Sequence, residues 1–126
     1  MLQIGIKGNQ KAVVTEQLTA KEIGSGELPV YATPAMLALV EETAWKSVAG
    51  ELEEGQGTVG TKLDVSHIAP TCVGRTVRCE TELVQIDRRR LVFSVNVFDE
   101  AGKIAEGTHE RFIIVNDKFL DKAKAR

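Results

Sequence analysis

Residues 32–45 read ATPAMLALVEETAW, and this stretch decides the fold. It has the form of a helix that a protein buries, yet it carries carboxylates. Thr33 suits the N-cap and Pro34 the first helical position, where its missing N–H costs nothing. Gly50 supplies the stop. Ala35, Met36, Leu37, Ala38, Leu39, Val40, Ala44, Trp45, Val48 and Ala49 leave almost no polar face, which predicts a core helix. Glu41 shares a side with Leu37, Ala38, Ala44, Trp45 and Val48 at helical spacing. Glu42 has Lys46 four residues on and reads as a solvated pair. A carboxylate among apolar side chains is costly unless paired or used, and burial moves it toward a working base. The bland alternative is a shallow helix with Glu41 at its edge. The functional reading is preferred.

Outward from the helix, strand patterns dominate. Lys11–Leu18 reads as a first strand, and Lys21–Leu28, with Gly24 and Gly26, as a loop leading to the helix. Thr58–Ile68, Arg75–Asp87, Leu91–Asp99 and Ile104–Val115 alternate with period two and are rich in β-branched residues. Asp99–Gly102 has hairpin-turn chemistry, and a short amphipathic helix is expected from Phe119. No repeat or linker divides the chain, so residues 1–126 read as a single domain. One strand, one long apolar helix and then a run of strands predict an α+β fold, an antiparallel sheet wrapped on one helix. One helix covers one face of such a sheet and leaves strand edges open, which points to a homodimer.

The 126 residues are 43% hydrophobic and 27% charged, an ordinary globular balance that excludes disorder. A net charge of −2 without a long basic run gives no support to binding of nucleic acid or of a membrane surface. No apolar run approaches membrane-spanning length and no leader pattern opens the chain, so a cytoplasmic location is the expectation. Arg88, Arg89 and Arg90 form the one compact basic cluster. They read as a solvated hairpin turn, with a phosphate contact as the alternative. Cys72 and Cys79 are expected to be reduced thiols, Cys79 packed in a strand and Cys72 in a loop.

Several motifs remain. Gly55–Gly60 satisfies G-x-G-x-x-G, but a helix precedes it and a strand follows, the reverse of a dinucleotide fingerprint. Its glycines are better suited to turning the backbone and admitting a ligand closely. His67 ends a strand on the face of Leu63 and Val65, as a proton carrier or as a packed side chain. His109 reads as a neutral strand histidine, and Arg111, on its face, is the better ligand contact. Two histidines without clustered cysteines make a metal site improbable. Thr33 at a helix N-terminus has a cap reading and a site reading, in which partial positive charge meets a developing oxyanion. The two are compatible.

The motifs A-T-x-x-M-x-x-L-x-E around Thr33 and Glu41, G-T-x-x-x-V-x-H ending at His67, and G-T-H-E-R over 107–111 resemble the hotdog-fold acyl-CoA thioesterases, most closely the fluoroacetyl-CoA thioesterase group. The resemblance runs from about Val30 through Arg111. It implies catalytic roles for Thr33, Glu41 and His67, and substrate contact or positioning by Gly60 and Arg111. It also implies a dimer with composite sites, and coenzyme A as the carrier within the substrate rather than a separate cofactor. The family's fluoroacetate enzyme closes its pocket with phenylalanines just ahead of the helix. Here Ile23–Pro29 has no aromatic, so fluorine discrimination is not expected. The reading is hydrolysis of a small acyl-CoA thioester, with an acyl-CoA-binding module or a hotdog enoyl-CoA hydratase or dehydratase as alternatives.

Overall fold

A computed structural model describes all 126 residues. Five strands, β1 (Lys7–Val13), β2 (Gln56–His67), β3 (Thr76–Asp87), β4 (Arg90–Asp99) and β5 (Gly102–Val115), form one sheet in the order β1-β3-β4-β5-β2. Every neighbouring pair is antiparallel. A four-residue helix α1 (Ala20–Ile23) precedes the long helix α2 (Thr33–Ala49), and α3 (Asn116–Lys124) closes the chain. The α+β architecture expected from the sequence is therefore present, with α2 lying across one face of the sheet.

The α2 helix forms because Ala, Leu, Met and Glu dominate it and its β-branched residues stand apart. Lys46 Nζ donates to Glu42 Oε2 at 2.7 Å, the solvated pair that their spacing predicts. Met36, Leu39, Val40, Thr43, Ala44 and Val48 form its buried face. Toward the N-terminal half, Met36, Leu39 and Val40 pack with Tyr31, Val77, Cys79, Val95, Val97 and Ile104. Toward the C-terminal half, Ala44 and Val48 pack with Leu83, Leu91, Phe93 and Ile113. Burial pushes the Cys79 thiol up to about 11, so this cysteine is an inert packing group. Gly8 lets helix and sheet meet closely, since a Cβ there would stand 2.7 Å from the Thr43 carbonyl oxygen.

Several expectations are corrected. The first strand begins and ends earlier than Lys11–Leu18, and Glu16–Leu18 is a single 3₁₀ turn. Within the expected loop, α1 forms because Thr19 Oγ1 accepts from the Glu22 N–H and Gly24 ends the turn at φ 92°. Ala32, not Thr33, holds the N-cap of α2, so Thr33 is the first helical residue and its side chain is free for another partner. Gly50 ends α2 in right-handed conformation, and the left-handed position falls at Gly55, with φ 82°. The α2 helix is not buried all round: Trp45 is 43% exposed and Ala38 is open to solvent. The final helix starts at Asn116 rather than Phe119.

Candidate active site

The α2 helix runs antiparallel to β2, and two groups of polar side chains lie between them. At the N-terminal end of α2, Thr33 Oγ1 stands 2.9 Å from His67 Nδ1. His67 reaches this position because alternation along β2 places it on the helix side, opposite buried Ala105 of β5. The Tyr31 ring meets the His67 ring edge-on at 6.4 Å. Nε2 of His67 is buried and has no hydrogen-bond partner within the chain. Desolvation holds the ring below the ordinary histidine value, partly offset by the Ala69 carbonyl, so it is neutral near pH 7. Beside the pair lies a cleft of about 360 Å³, walled by Val30, Tyr31, Ile68, Ala69 and Pro70 and reached by Ser25.

Two helical turns further on, the second group centres on Arg111. Its Nη1 donates to Glu41 Oε2 at 3.0 Å and to His109 Nε2 at 3.1 Å. Its Nε donates to Thr58 Oγ1 at 2.8 Å, and its Nη2 to the Thr58 carbonyl at 3.0 Å. Four of the five guanidinium N–H groups are thus engaged inside the chain. His109 is fully buried, stacked on Phe93, with Nδ1 2.8 Å from the Lys62 carbonyl oxygen. A carbonyl only accepts, so Nδ1 carries the proton and Nε2 offers a lone pair to Arg111. Desolvation, and then the neighbouring Arg111 charge, keep this ring neutral.

Gly60 pairs with Arg111 across the β2–β5 ladder, immediately before a bulge that shifts the register between Gly60 and Lys62. A Cβ at Gly60 would collide with Glu41 Oε2 and stand 3.2 Å from Arg111 Nη1. Only glycine lets the Glu41 carboxylate lie against the strand backbone. The Glu41 side chain is 41% exposed, against 6% for Arg111. The expectation that Glu41 is buried among apolar side chains is therefore corrected: a guanidinium holds it on the half-open flank of α2. The edge reading was right about position, and the pairing with Arg111 adds what it lacked.

The chain thus brings Thr33 to His67, and Glu41 to Gly60 and Arg111, but leaves the two groups apart. Eight residues of helix separate Thr33 from Glu41, about 12 Å along the axis. Thr58 and His109 were missed as members of the second group. The shared face of His109 and Arg111 was visible in the alternation of β5, whereas Thr58 joins them only through β2–β5 register. The G-x-G-x-x-G stretch runs from a turn into β2 and opens no helix, as its context implied.

Comparison with known proteins bears on this arrangement. The family model described as fluoroacetyl-CoA-specific thioesterase matches residues 14–117. A fluoroacetyl-CoA thioesterase from Streptantibioticus cattleyicolor is 38% identical over 97 residues, 77% of this chain and 70% of that protein. The solved structure of the fluoroacetyl-CoA thioesterase FlK superposes with a TM-score of 0.94 at 32% identity, covering 100% of this chain and 98% of that one. A thioesterase superfamily member from Thermus thermophilus superposes with a TM-score of 0.91 at 26% identity, covering 99% and 93%. A hot-dog-like protein from Thermanaerovibrio acidaminovorans, 24% identical with a TM-score of 0.91 and the same coverage, shares the fold. Five antiparallel strands around α2 are thus a hotdog domain, and the chain, a thioester hydrolase, belongs to the fluoroacetyl-CoA-specific thioesterase family.

Proposed function

We propose that the protein hydrolyses a small acyl-CoA thioester to the free acid and coenzyme A, using Thr33, Glu41 and His67, with Gly60 and Arg111 positioning the reactants. One observation carries the assignment of roles. His67 is tied to Thr33 through Nδ1 while its buried Nε2 is left without a partner at the mouth of a cleft. A buried ring nitrogen without a partner in its own chain is satisfied by a water or by a ligand group that enters the cleft.

Thioester cleavage needs an attacking oxygen, a proton acceptor and donors for the tetrahedral oxyanion. With Thr33 donating to Nδ1, the neutral His67 ring presents Nε2–H to the developing oxyanion. With the opposite tautomer, Nδ1–H donates to Thr33 and Nε2 receives a proton. Glu41 supplies the carboxylate, as base for water or as direct nucleophile. Arg111 engages Oε2 alone, which leaves Oε1 for the reaction. Water attack ends with the proton on the departing coenzyme A sulfur and the hydroxyl on the acyl carbon. Support for the substrate class comes from FlK, of which mutant structures have been solved in complex with acetyl-CoA and with fluoroacetate and CoA.

The working unit in this proposal is a homodimer. Strand β2 is an edge of the sheet, Leu63 on it is 37% exposed, and the flank of α2 bearing Trp45 and Ala38 is open beside it. A second copy placed two-fold about this edge would pair the strands and cover the flank. It would also bring the Thr33–His67 end of one helix toward the Glu41–Arg111 group of the other.

The test is a panel of acyl-CoA esters with detection of the free thiol. Acetyl-CoA and its small aliphatic homologues should release coenzyme A. Fluoroacetyl-CoA should have an advantage over acetyl-CoA of no more than about tenfold in kcat/KM, because Gly24–Pro29 carries no aromatic and is exposed. Absence of thiol release across the panel would contradict the proposed reaction. A preference of several orders of magnitude for the fluorinated ester would contradict the substrate reading alone.

A further inference from the structure

The β3–β4 hairpin holds residues that the reaction leaves unused. Asp87 and Arg90 close it as a pair, with Arg88 and Arg89 at its tip. The Ile113 N–H donates to the Arg89 carbonyl at 2.8 Å and ties the tip to β5. Asp87, Arg88, Arg89, Arg90 and Phe112 line a surface cavity of about 360 Å³. Arg90 is committed, donating through Nε and Nη2 to the two oxygens of Glu110 at 2.9 and 3.1 Å. Arg88 and Arg89 form no ion pair. Phe112 is 41% exposed.

These features fit a ligand that is both anionic and aromatic. Two unpaired guanidinium groups against one Asp87 carboxylate leave local positive charge on a chain whose net charge is −2. Arg88 adopts φ 60°, a conformation that glycine or asparagine ordinarily fills in such a turn. An arginine there points to a use for its head group. Arginine forks match phosphate oxygens, and an open phenyl ring takes the face of a base. Asp87 adds an acceptor suited to an exocyclic amine.

The distance to the reacting centre also fits. Leu91 pairs with Arg111 and Arg90 with Phe112, so the tip begins just beyond the Arg111 rung. At strand spacing, Arg89 and Arg88 lie roughly 7 to 10 Å along the sheet from that rung. The side chain of Arg111 faces α2 and that of Phe112 faces away, and the turn caps the end of the strands where the two faces meet. A flexible pantetheine arm passing that end spans the interval.

The geometry points to this turn as the subsite for the nucleotide end of coenzyme A: Arg88 and Arg89 hold the phosphates, and Phe112 stacks on the adenine. The inference rests on the thioesterase reading and adds a second anchor, remote from the bond that breaks.

The test compares wild type with Arg88→Gly/Arg89→Gln, in which glycine suits the turn backbone while both charges are lost. Each is assayed with acetyl-CoA and with acetyl-N-acetylcysteamine, which has the thioester but no nucleotide. For acetyl-CoA the variant should show KM raised by about tenfold or more with kcat within about twofold. Its kinetics on the short ester should match wild type. Equal losses on both esters, or an unchanged KM for acetyl-CoA, would overturn the subsite. Calorimetric titration with adenosine 3′,5′-bisphosphate checks it separately: wild type should bind saturably, and the variant and Phe112→Ala should each bind at least about tenfold more weakly. If wild type releases thiol from neither ester, the thioesterase reading fails, and this titration alone decides whether the turn binds a nucleotide. No saturable binding by wild type would overturn the subsite.

Discussion

The two ends of the polar track between α2 and β2 differ in how far they are satisfied. At the Thr33–His67 end, a hydrogen bond of 2.9 Å leaves a buried ring nitrogen empty beside a cleft. At the Glu41–Arg111 end, neutral His109, Thr58 and Glu41 together occupy four guanidinium donors. The first end keeps a ring nitrogen without a partner in its own chain, whereas the second is braced by side chains of the chain itself. On the roles proposed here, catalysis gains from both: an unmet group recognises the substrate, and a preorganised carboxylate avoids reorganisation when charge develops. Neither end alone supplies base, oxyanion donor and nucleophile.

The braced end can be broken most sharply at Gly60. An alanine methyl there would displace the Glu41 carboxylate, the flexible end of a half-exposed side chain, so the fold should survive. Activity of Gly60→Ala should fall on the order of 10³-fold, since a misplaced catalytic group forfeits both orientation and electrostatic fit. Gly57→Ala is the control, because its Cβ would meet the movable side chain of Asn116. Equal losses from the two changes would remove the special role of the Gly60–Glu41 contact.

The same carboxylate can be set directly against its neighbour on α2. Glu41→Gln should likewise lower kcat on the order of 10³-fold with little change in unfolding midpoint. Glu42→Gln removes only an exposed pair with Lys46 and should leave kcat within about twofold. Comparable losses would mean that the two faces of α2 are wrongly assigned.

The smallest effect concerns pH and the braces themselves. His67 and His109 are both held below the ordinary histidine value of 6.5, mainly by desolvation. Below that value the unfolded chain binds protons that the folded chain resists, so stability should fall as pH drops below about 6.5. This window lies above the carboxylate range, where Glu110 is held low by Arg90. Urea unfolding from pH 7.5 to 5.5 should show the decline, and His109→Gln should reduce it to the share that His67 contributes. A flat wild-type profile would contradict the neutral state assigned to both rings.

Much of this was legible in the sequence, and the reasons are local. Residues 33–50 announce the helix, because Pro34 and the Leu-, Ala- and Glu-rich run act within one segment. The alternation in Leu91, Phe93, Val95 and Val97 likewise exposes β4 as a strand with a buried face. Glu42 could be paired with Lys46 because i,i+4 geometry is intrinsic to a helix. What stayed hidden depends on cross-strand register. Thr58 meets Arg111, and Gly60 makes room for Glu41, only because β2 pairs with β5 and bulges after Gly60. Thr33 misled as a cap for a related reason: its hydroxyl suits either role, and only the end of β2 delivers His67 to it.

On the proposed reading the two ends cooperate across a dimer, because about 12 Å of helix separates Thr33 from Glu41 in one chain, while reacting groups must stand roughly 3 Å from a thioester carbonyl. The direct test joins a Thr33→Ala chain to a Glu41→Gln chain, with distinct affinity tags to isolate the mixed dimer. One of its two sites would carry both lesions and the other would be intact. The mixed dimer should recover about half the activity of a wild-type dimer, although each mutant homodimer is nearly inactive. If the purified mixed dimer is as inactive as its parents while tagged wild-type dimers exchange and retain activity, the shared-site account is contradicted.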